Sequence, residues 1–332
     1  MLQSMYSGIS GMKASNQELD VISNNIANSQ TTAFKGSSVT FEDMYNETIK
    51  ESSSPTGNFG GTNISQVGTG TKIEAVNKDM GSGSTLTTNR GLDTAISGTG
   101  FFILGSGPST TSVPVDNTTT HEATVTPGVS LNYSRDGSFS LDSNNDLVNS
   151  GGYKVMGYAV KNATGTSIQA DGKTVNFVDG NKAVTAVDTA LVPLIIPSTV
   201  MEGGAPEKVS SYAIDKNGVI TVTLADKNVA AIGQIALASF NNDAGLDAAG
   251  SNMFSESTNS GIATLKTGIN TASTNDNSGA YGDILSGTLE QSNVDLATEF
   301  THMIEASRSF QANGKIISTG DEILQTIIGL KQ

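Results

Sequence analysis

The sequence predicts a mixed fold: a mainly β body bracketed by long helices near its N- and C-terminal ends. Three observations carry this. Apolar residues repeat every seven positions in residues 2–26 and again in 296–324. Between them, runs of alternating apolar and polar residues are punctuated by Gly, Asn and Asp turn clusters. Finally, charged residues make up only 15% and aromatics 5%, with no Trp or Cys, which suits turn-rich β-structure better than a dense aromatic core.

The first helix is read from Met5, Met12, Leu19 and Ile26, with Leu2 and Ile9 starting an alternate register. Small residues Ser4, Gly8, Gly11 and Ser15 run beside that stripe. Each mid-helix Gly costs roughly 1 kcal/mol against Ala, so a close neighbour should benefit from it. The pattern stops at Asn24, Asn25 and Asn28. At the far end Leu296, Met303, Phe310, Ile317 and Leu324 repeat without a break, with Ser292 or Asn293 as the expected cap, and Ile316, Ile323 and Leu330 form a second stripe. Two readings are open. The helices could be an antiparallel pair within one domain, or they could serve packing between molecules, since a lone pair would leave the second stripe exposed.

In the middle zone, residues 133–158 and 212–240 read as hairpins, the latter around "KNG" and "DKN". Residues 51–70 and 105–128, rich in Ser, Thr, Gly and Pro, read as loops or mobile insertions.

The formal charge of −14 argues against nucleic acid, which needs a basic face, and against an anionic membrane surface. Zero cysteine removes disulfides and thiolate chemistry; it fits a cytosolic protein and equally one secreted unfolded. No basic segment precedes an apolar core at the start, so no cleaved signal peptide is expected. The longest apolar run, "LVPLIIP" at 191–197, is too short to span a bilayer.

Catalytic signatures are missing. "GTGFFIL" begins like a dinucleotide loop but has Ile103 where the third Gly belongs. His121 and His302 have no partner at metal spacing and read as ordinary surface or interface residues. Asp142, Asn144 and Asp146 imitate a calcium loop, yet Leu147 and Tyr153 stand where Gly and Glu are required, so a hairpin turn is expected. No enzyme, cofactor or metal site is expected.

Four blocks in order resemble the flagellar rod–hook axial proteins. "SGISGMKASNQELDVISNNIANSQTTAFKG" is similar to that family's N-terminal signature; Asn28, Thr31, Phe34 and Lys35 match, while Ala33 replaces the usual Gly. "NRGLDTAISGTGFFIL" and "YSRDGSFSLDSNNDLVNSGGYKVMGY" resemble its body strands, and "IGQIALASFNNDAGLDAAGSNMFSESTNSG" is a related later segment. "SGTLEQSNVDLATEFTHMIEASRSFQANGKIISTGDEIL" resembles the C-terminal signature.

The resemblance implies a self-assembling tube subunit whose terminal helices pair as a coiled coil. Asn24, Asn25, Asn28, Thr31, Phe34 and Lys35 would form the turn out of the first helix. Domains would be built from discontinuous chain: 1–28 with 289–332 helical, 29–75 a linker, 76–152 with 210–288 the β-rich body, and 153–209 a small variable outer region. The body length, "GGTNISQVGTG" and "RGLD" favour the hook, a flexible joint between rod and filament. The stretch after "FEDMY" is similar to distal-rod proteins, the alternative. A secreted calcium- or glycan-binding adhesin is a remoter one. Implied partners are other copies of the chain, distal rod, hook cap and hook–filament junction proteins, and the flagellar type III export apparatus. The implied location is extracellular, in the hook or basal body, reached without a cleaved signal.

Overall fold

The computed structural model describes residues 2–330 except 56–59, 109–111, 117–120, 125–126, 163–164, 168–174 and 272–275; the side chain of Leu2 also lies outside the description. The fold is a mainly β body together with N- and C-terminal helices that pack on each other. The chain separates into two compact units, Met1–Gln30 with Lys35–Asp79 and Asn293–Gln332, and Thr31–Phe34 with Met80–Ser292.

The first unit holds helix α1 (Leu2–Ala27), strands β1 (Ser37–Asp43), β2 (Asn46–Lys50), β3 (Ser65–Gly68) and β4 (Thr71–Lys78), and helix α2 (Leu296–Gly329). β1 pairs antiparallel with β4 and β2 with β3. Residues 29–75, expected as a linker, therefore carry β1 to β3 and much of β4. The segment 51–70, expected as a loop, includes β3 and an isolated bridge from Ser53 to Thr62. The turn into β4 depends on a glycine. Gly70 has φ 125°, and a Cβ there would overlap Ser10 Oγ on α1, so only a residue without a side chain lets the ribbon lie so close to the helix.

Each helix ends for a local reason. Asn28 N–H donates to Asn24 O (3.1 Å), and its side-chain amide donates to the same carbonyl and to Asn24 Oδ1 (both 2.9 Å), satisfying groups that the next turn would have used. At the start of α2, Asp295 is the cap: its Oδ1 accepts from Ala297 N (2.9 Å) and its Oδ2 from Thr298 Oγ1 (3.0 Å). That corrects the expected cap at Ser292 or Asn293. Asn293 is occupied elsewhere, accepting from Gly36 N (2.8 Å) and donating to Asp79 O (2.9 Å).

The second unit is organised on one large sheet. Its main path runs Thr199–Glu202, Ala205–Ile214, Val219–Leu224, Val229–Ile235, Lys154–Asn162, Phe101–Ser106, Ser130–Ser134, Met253–Ser255 and Asp247–Gly250, with antiparallel neighbours. The "FFIL" strand lies near the centre. Phe102 and Leu104 join one core cluster with Phe139, Ile220 and Ile232; Phe101 and Ile103 point the other way, into a cluster with Tyr133, Met156 and Tyr158. Successive side chains on a strand face opposite sides, so a run of four apolar residues marks a strand covered on both faces.

The hairpins read at 133–158 and 212–240 are present. Gly218 (φ 78°) and Lys227 (φ 72°) sit in the left-handed turns of the second. Residues 153–209 are woven into this same sheet through Lys154–Asn162 and Thr185–Pro193, and Val175 and Val178 are buried.

Candidate functional site

For a chain without catalytic signatures, the candidate site is the helix pair and the residues that fix its ends. α1 and α2 run antiparallel in a single register. Positions on one helix fall as their partners rise: Met5 lies at Gly320, Gly8 at Ile317, Met12 at Gly314, Gly11 at Asn313 and Asn25 at Glu299. Glycines on both helices accept the larger side chains opposite. A Cβ at Gly11 would come within 2.8 Å of the Asn313 amide nitrogen, so a larger residue there would require the Asn313 side chain to shift.

The heptad residues do not all lie in this contact. Met5, Met12, Leu19, Ile26, Met303, Ile317 and Leu324 are half-buried; Ile9, Leu296 and Phe310 are exposed. On α1 the buried positions are Gly8, Gly11, Ala14, Ser15, Ile22 and Asn25, a mostly small-residue face. On α2 only Ala306 is buried. The second stripe, Ile316, Ile323 and Leu330, faces solvent, joined by Phe300, Ile304, Ile327 and Ile328.

The asparagine-rich segment divides its tasks. Asn24 is exposed, and Asn28 closes the helix. Asn25 is 1% exposed: its amide donates to Ser37 O (2.8 Å) and Glu299 Oε1 (3.1 Å), and its carbonyl accepts from Ser37 N (3.0 Å). One side chain thus ties the end of α1 to the first residue of β1 and to α2. Lys35 is buried, while Thr31 and Phe34 are half-buried, with Phe34 N–H donating to Thr31 O (3.4 Å). Ala33, the departure from the family's Gly, has φ 55° and is buried, with its N–H donating to Glu290 O (2.9 Å). The left-handed turn survives the substitution at a local cost of about 1–2 kcal/mol.

Sequence reasoning missed Glu290 and Arg135 as partners. Both are buried, with Arg135 Nη1 3.5 Å from Glu290 Oε2 and its guanidinium 5.2 Å from the Phe101 ring centre. Burial holds the Arg135 pKa below its ordinary value, and the Glu290 charge opposes that shift. Glu290 Oε1 also accepts from Gly83 N (2.9 Å). The Arg in "YSRDG" and the Glu in "GTLEQ" are 155 positions apart, and no periodicity relates them. Gly137 of the same motif lies against Thr94, whose N–H donates to its carbonyl (3.0 Å); a Cβ there would overlap the Thr94 carbonyl oxygen.

The remaining sequence candidates resolve as structural. Asp142 Oδ1 accepts from the backbone N–H of Asn144 (2.8 Å) and Asp146 (2.9 Å), a turn use of the carboxylate, and Asp146 pairs with Lys154 at 2.9 Å. Among the described residues no group of three acidic, His or Cys side chains is placed to hold a metal ion, and no helix is long and apolar enough to cross a membrane. His121, read as a surface or interface residue, is instead buried with φ 53°. His302 is exposed.

Sequence comparisons match three segments to described families. Residues 5–35 match "Flagella basal body rod protein", 124–222 "Flagellar hook protein FlgE/F/G D1 domain", and 285–330 "Flagellar basal body rod FlgEFG protein C-terminal". The chain is 36% identical to the flagellar basal-body rod protein FlgG of Bacillus subtilis (strain 168) over 332 residues, covering 100% of both chains. It is 30% identical to the rod protein FlgG of Borreliella burgdorferi over 336 residues, again across 100% of both. Against the flagellar hook protein FlgE of Escherichia coli (strain K12) it is 28% identical over 441 aligned positions, 97% of this chain and 98% of the other. With matches that include both terminal segments and full-length relatives at 36% and 30% identity, the chain belongs to the flagellar rod and hook protein family.

Proposed function

We propose that this chain is a structural subunit of the flagellar distal rod, which assembles with copies of itself into a tube in the basal body. The observation that carries this is the end-to-end match to rod proteins: alignments of 332 and 336 positions to a chain of 332 residues leave almost no room for insertions. The hook alignment needs 441 positions. The body length that favoured the hook over the rod is therefore rod-like, and the ribbon β2–β3 falls where the sequence resembles distal-rod proteins.

The hook subunit is the second reading, favoured by an alignment that covers 97% of this chain. In either case the terminal segments 1–28 and 289–332 would form the assembly domain, their helices pairing as a coiled coil along Leu2, Met5, Ile9, Met12, Leu19, Ile26, Leu296, Met303, Phe310, Ile317 and Leu324. The role is architectural, with no cofactor. Neighbouring rod and hook proteins and the type III export apparatus would be its partners.

Electron microscopy of basal bodies from cells lacking the gene separates the two readings. A distal-rod subunit leaves truncated rods. Complete rods that lack only hooks would assign the chain to the hook instead, and normal flagella would remove both readings.

A further inference from the structure

A groove of about 790 Å³ opens within the first unit, between α1 and the ribbons β1–β4 and β2–β3. Its lining includes Tyr6, Ile9, Lys13, Met44, Lys72 and Ile73. Tyr6, Ile9 and Met44 are exposed, and Lys72 pairs with Glu42 at 2.8 Å. Lys13 makes no ion pair among the described residues.

The same unit carries a helix end without a cover. In the register fixed by Met5 at Gly320, the start of α1 is reached near residue 323. The last six residues of α2 and its cap, Leu330, about 10 Å at 1.5 Å per residue, thus run past it. They include Ile327 (49% exposed), Ile328 (65%) and Leu330 (82%). The last turn of α2 contains no basic residue, Lys331 following it outside the described residues, and a helix C-terminus carries about half a negative charge.

We propose that the groove receives the overhanging end of α2 from a second copy of this chain. Ile327, Ile328 and Leu330 would enter the apolar floor, and Lys13 would meet the negative helix terminus. No residue of the molecule's own α2 is among those lining the groove. A contact between two different surfaces of identical chains propagates as an open helical array wherever its rotation does not close into a ring. The inference rests on the polymerising role proposed above and adds which two surfaces meet.

The lack of native cysteine makes a direct test available. Two differently tagged chains, one with Tyr6→Cys and one with Ile328→Cys, are co-assembled and oxidised. Within one molecule these positions are about nine residues apart along the helix axis, roughly 13 Å. A disulfide needs Cα atoms within about 7 Å, so a bridge between the tags reports two molecules. The expected result is a mixed-tag dimer at least tenfold more abundant than with the control pair Ala248→Cys and Ile328→Cys.

Polymers that form without this dimer overturn the groove assignment and leave the rod reading intact. If the cysteine-free parent forms no polymer, the structural role itself fails, and the inference with it. Should the cysteine variants alone fail to assemble, amine-reactive labelling of parent polymers decides. Lys13 labelling about tenfold below that of the monomer supports the contact, and unchanged labelling overturns it.

Discussion

The strand Phe101–Ser106 and the helix α2 both carry several large apolar side chains, yet these meet opposite fates. Phe101, Phe102, Ile103 and Leu104 are all at most 1% exposed, whereas α2, at 34 residues, buries only Ala306. The β body finds partners for both faces of its strands within one chain. The helix finds a partner for one stripe and leaves a second, from Phe300 to Leu330, in water. Body residues therefore contribute to the stability of the isolated molecule, while much of the helix's apolar surface gains its value only when another surface arrives.

The largest expected effect tests that contrast at Ile323. Ile323→Asp places a charge on the uncovered stripe, which costs little while water reaches it and several kcal/mol once a neighbour buries it. The expectation is loss of polymer by electron microscopy with a melting temperature unchanged within about 2 °C, since exposed substitutions rarely exceed about 0.5 kcal/mol. A large drop in monomer stability would erase the distinction between the two regions. Phe102→Ala is the counterpart in the body. It should destabilise the monomer by about 3–5 kcal/mol in denaturant titration, because it opens a cavity in a core already complete. A cost below about 1 kcal/mol would show that the body is as loosely covered as the helix.

The contrast also explains what could be read from the letters. The body's hairpins were legible because Gly218 and the Asp226–Asn228 turn sit between alternating runs, and turn chemistry is local. Both helices were legible from their repeats. Their partner assignment was less so, because the intramolecular contact uses Gly8, Gly11, Gly314 and Gly320 as much as the large apolar residues, and a glycine in a pattern does not say what approaches it. Asn25 and Asn28 were recognisable as a motif, but only coordinates separate the cap from the tie to β1 and α2. His121 was misjudged because a single histidine in a Thr-rich stretch carries no signal of burial in the sequence. Arg135 with Glu290 was unreadable, since a pair 155 residues apart leaves no periodic trace.

An intermediate effect is expected where the helix pair does make complete contacts. Asn25→Ala removes the acceptor for Ser37 N–H and donors to Ser37 O and Glu299 in a buried position. Unpaired buried groups cost about 1–3 kcal/mol, so the first unit should loosen by that amount. Hydrogen exchange at the end of α1 and the start of β1 would detect it. Unchanged protection would mean that the small-residue contact alone holds the helices, and would sharpen the contrast with the body.

The smallest effect concerns charge within the pair. Glu18 on α1 is half-buried, and its carboxyl is raised above its ordinary pKa of 4.5, first by burial and then by Glu305 across the pair, with His302 opposing. A carboxyl that binds its proton more tightly when folded destabilises the fold above its folded pKa; that penalty is gone below 4.5, the unfolded value. As pH falls from neutral towards 4.5, this group should therefore strengthen the helix pair. Asp295 behaves oppositely. Its carboxyl is lowered by the bonds from Ala297 N–H and Thr298, so its stabilising cap is lost as pH falls below 3.8. The two windows do not overlap, and Glu18→Gln isolates the first. The variant should be slightly more stable than the parent at pH 7 and converge with it near pH 4. If their melting temperatures stay parallel across that range, Glu18 is solvated in the isolated molecule, and its part of the helix pair is as open to water as the outer stripe.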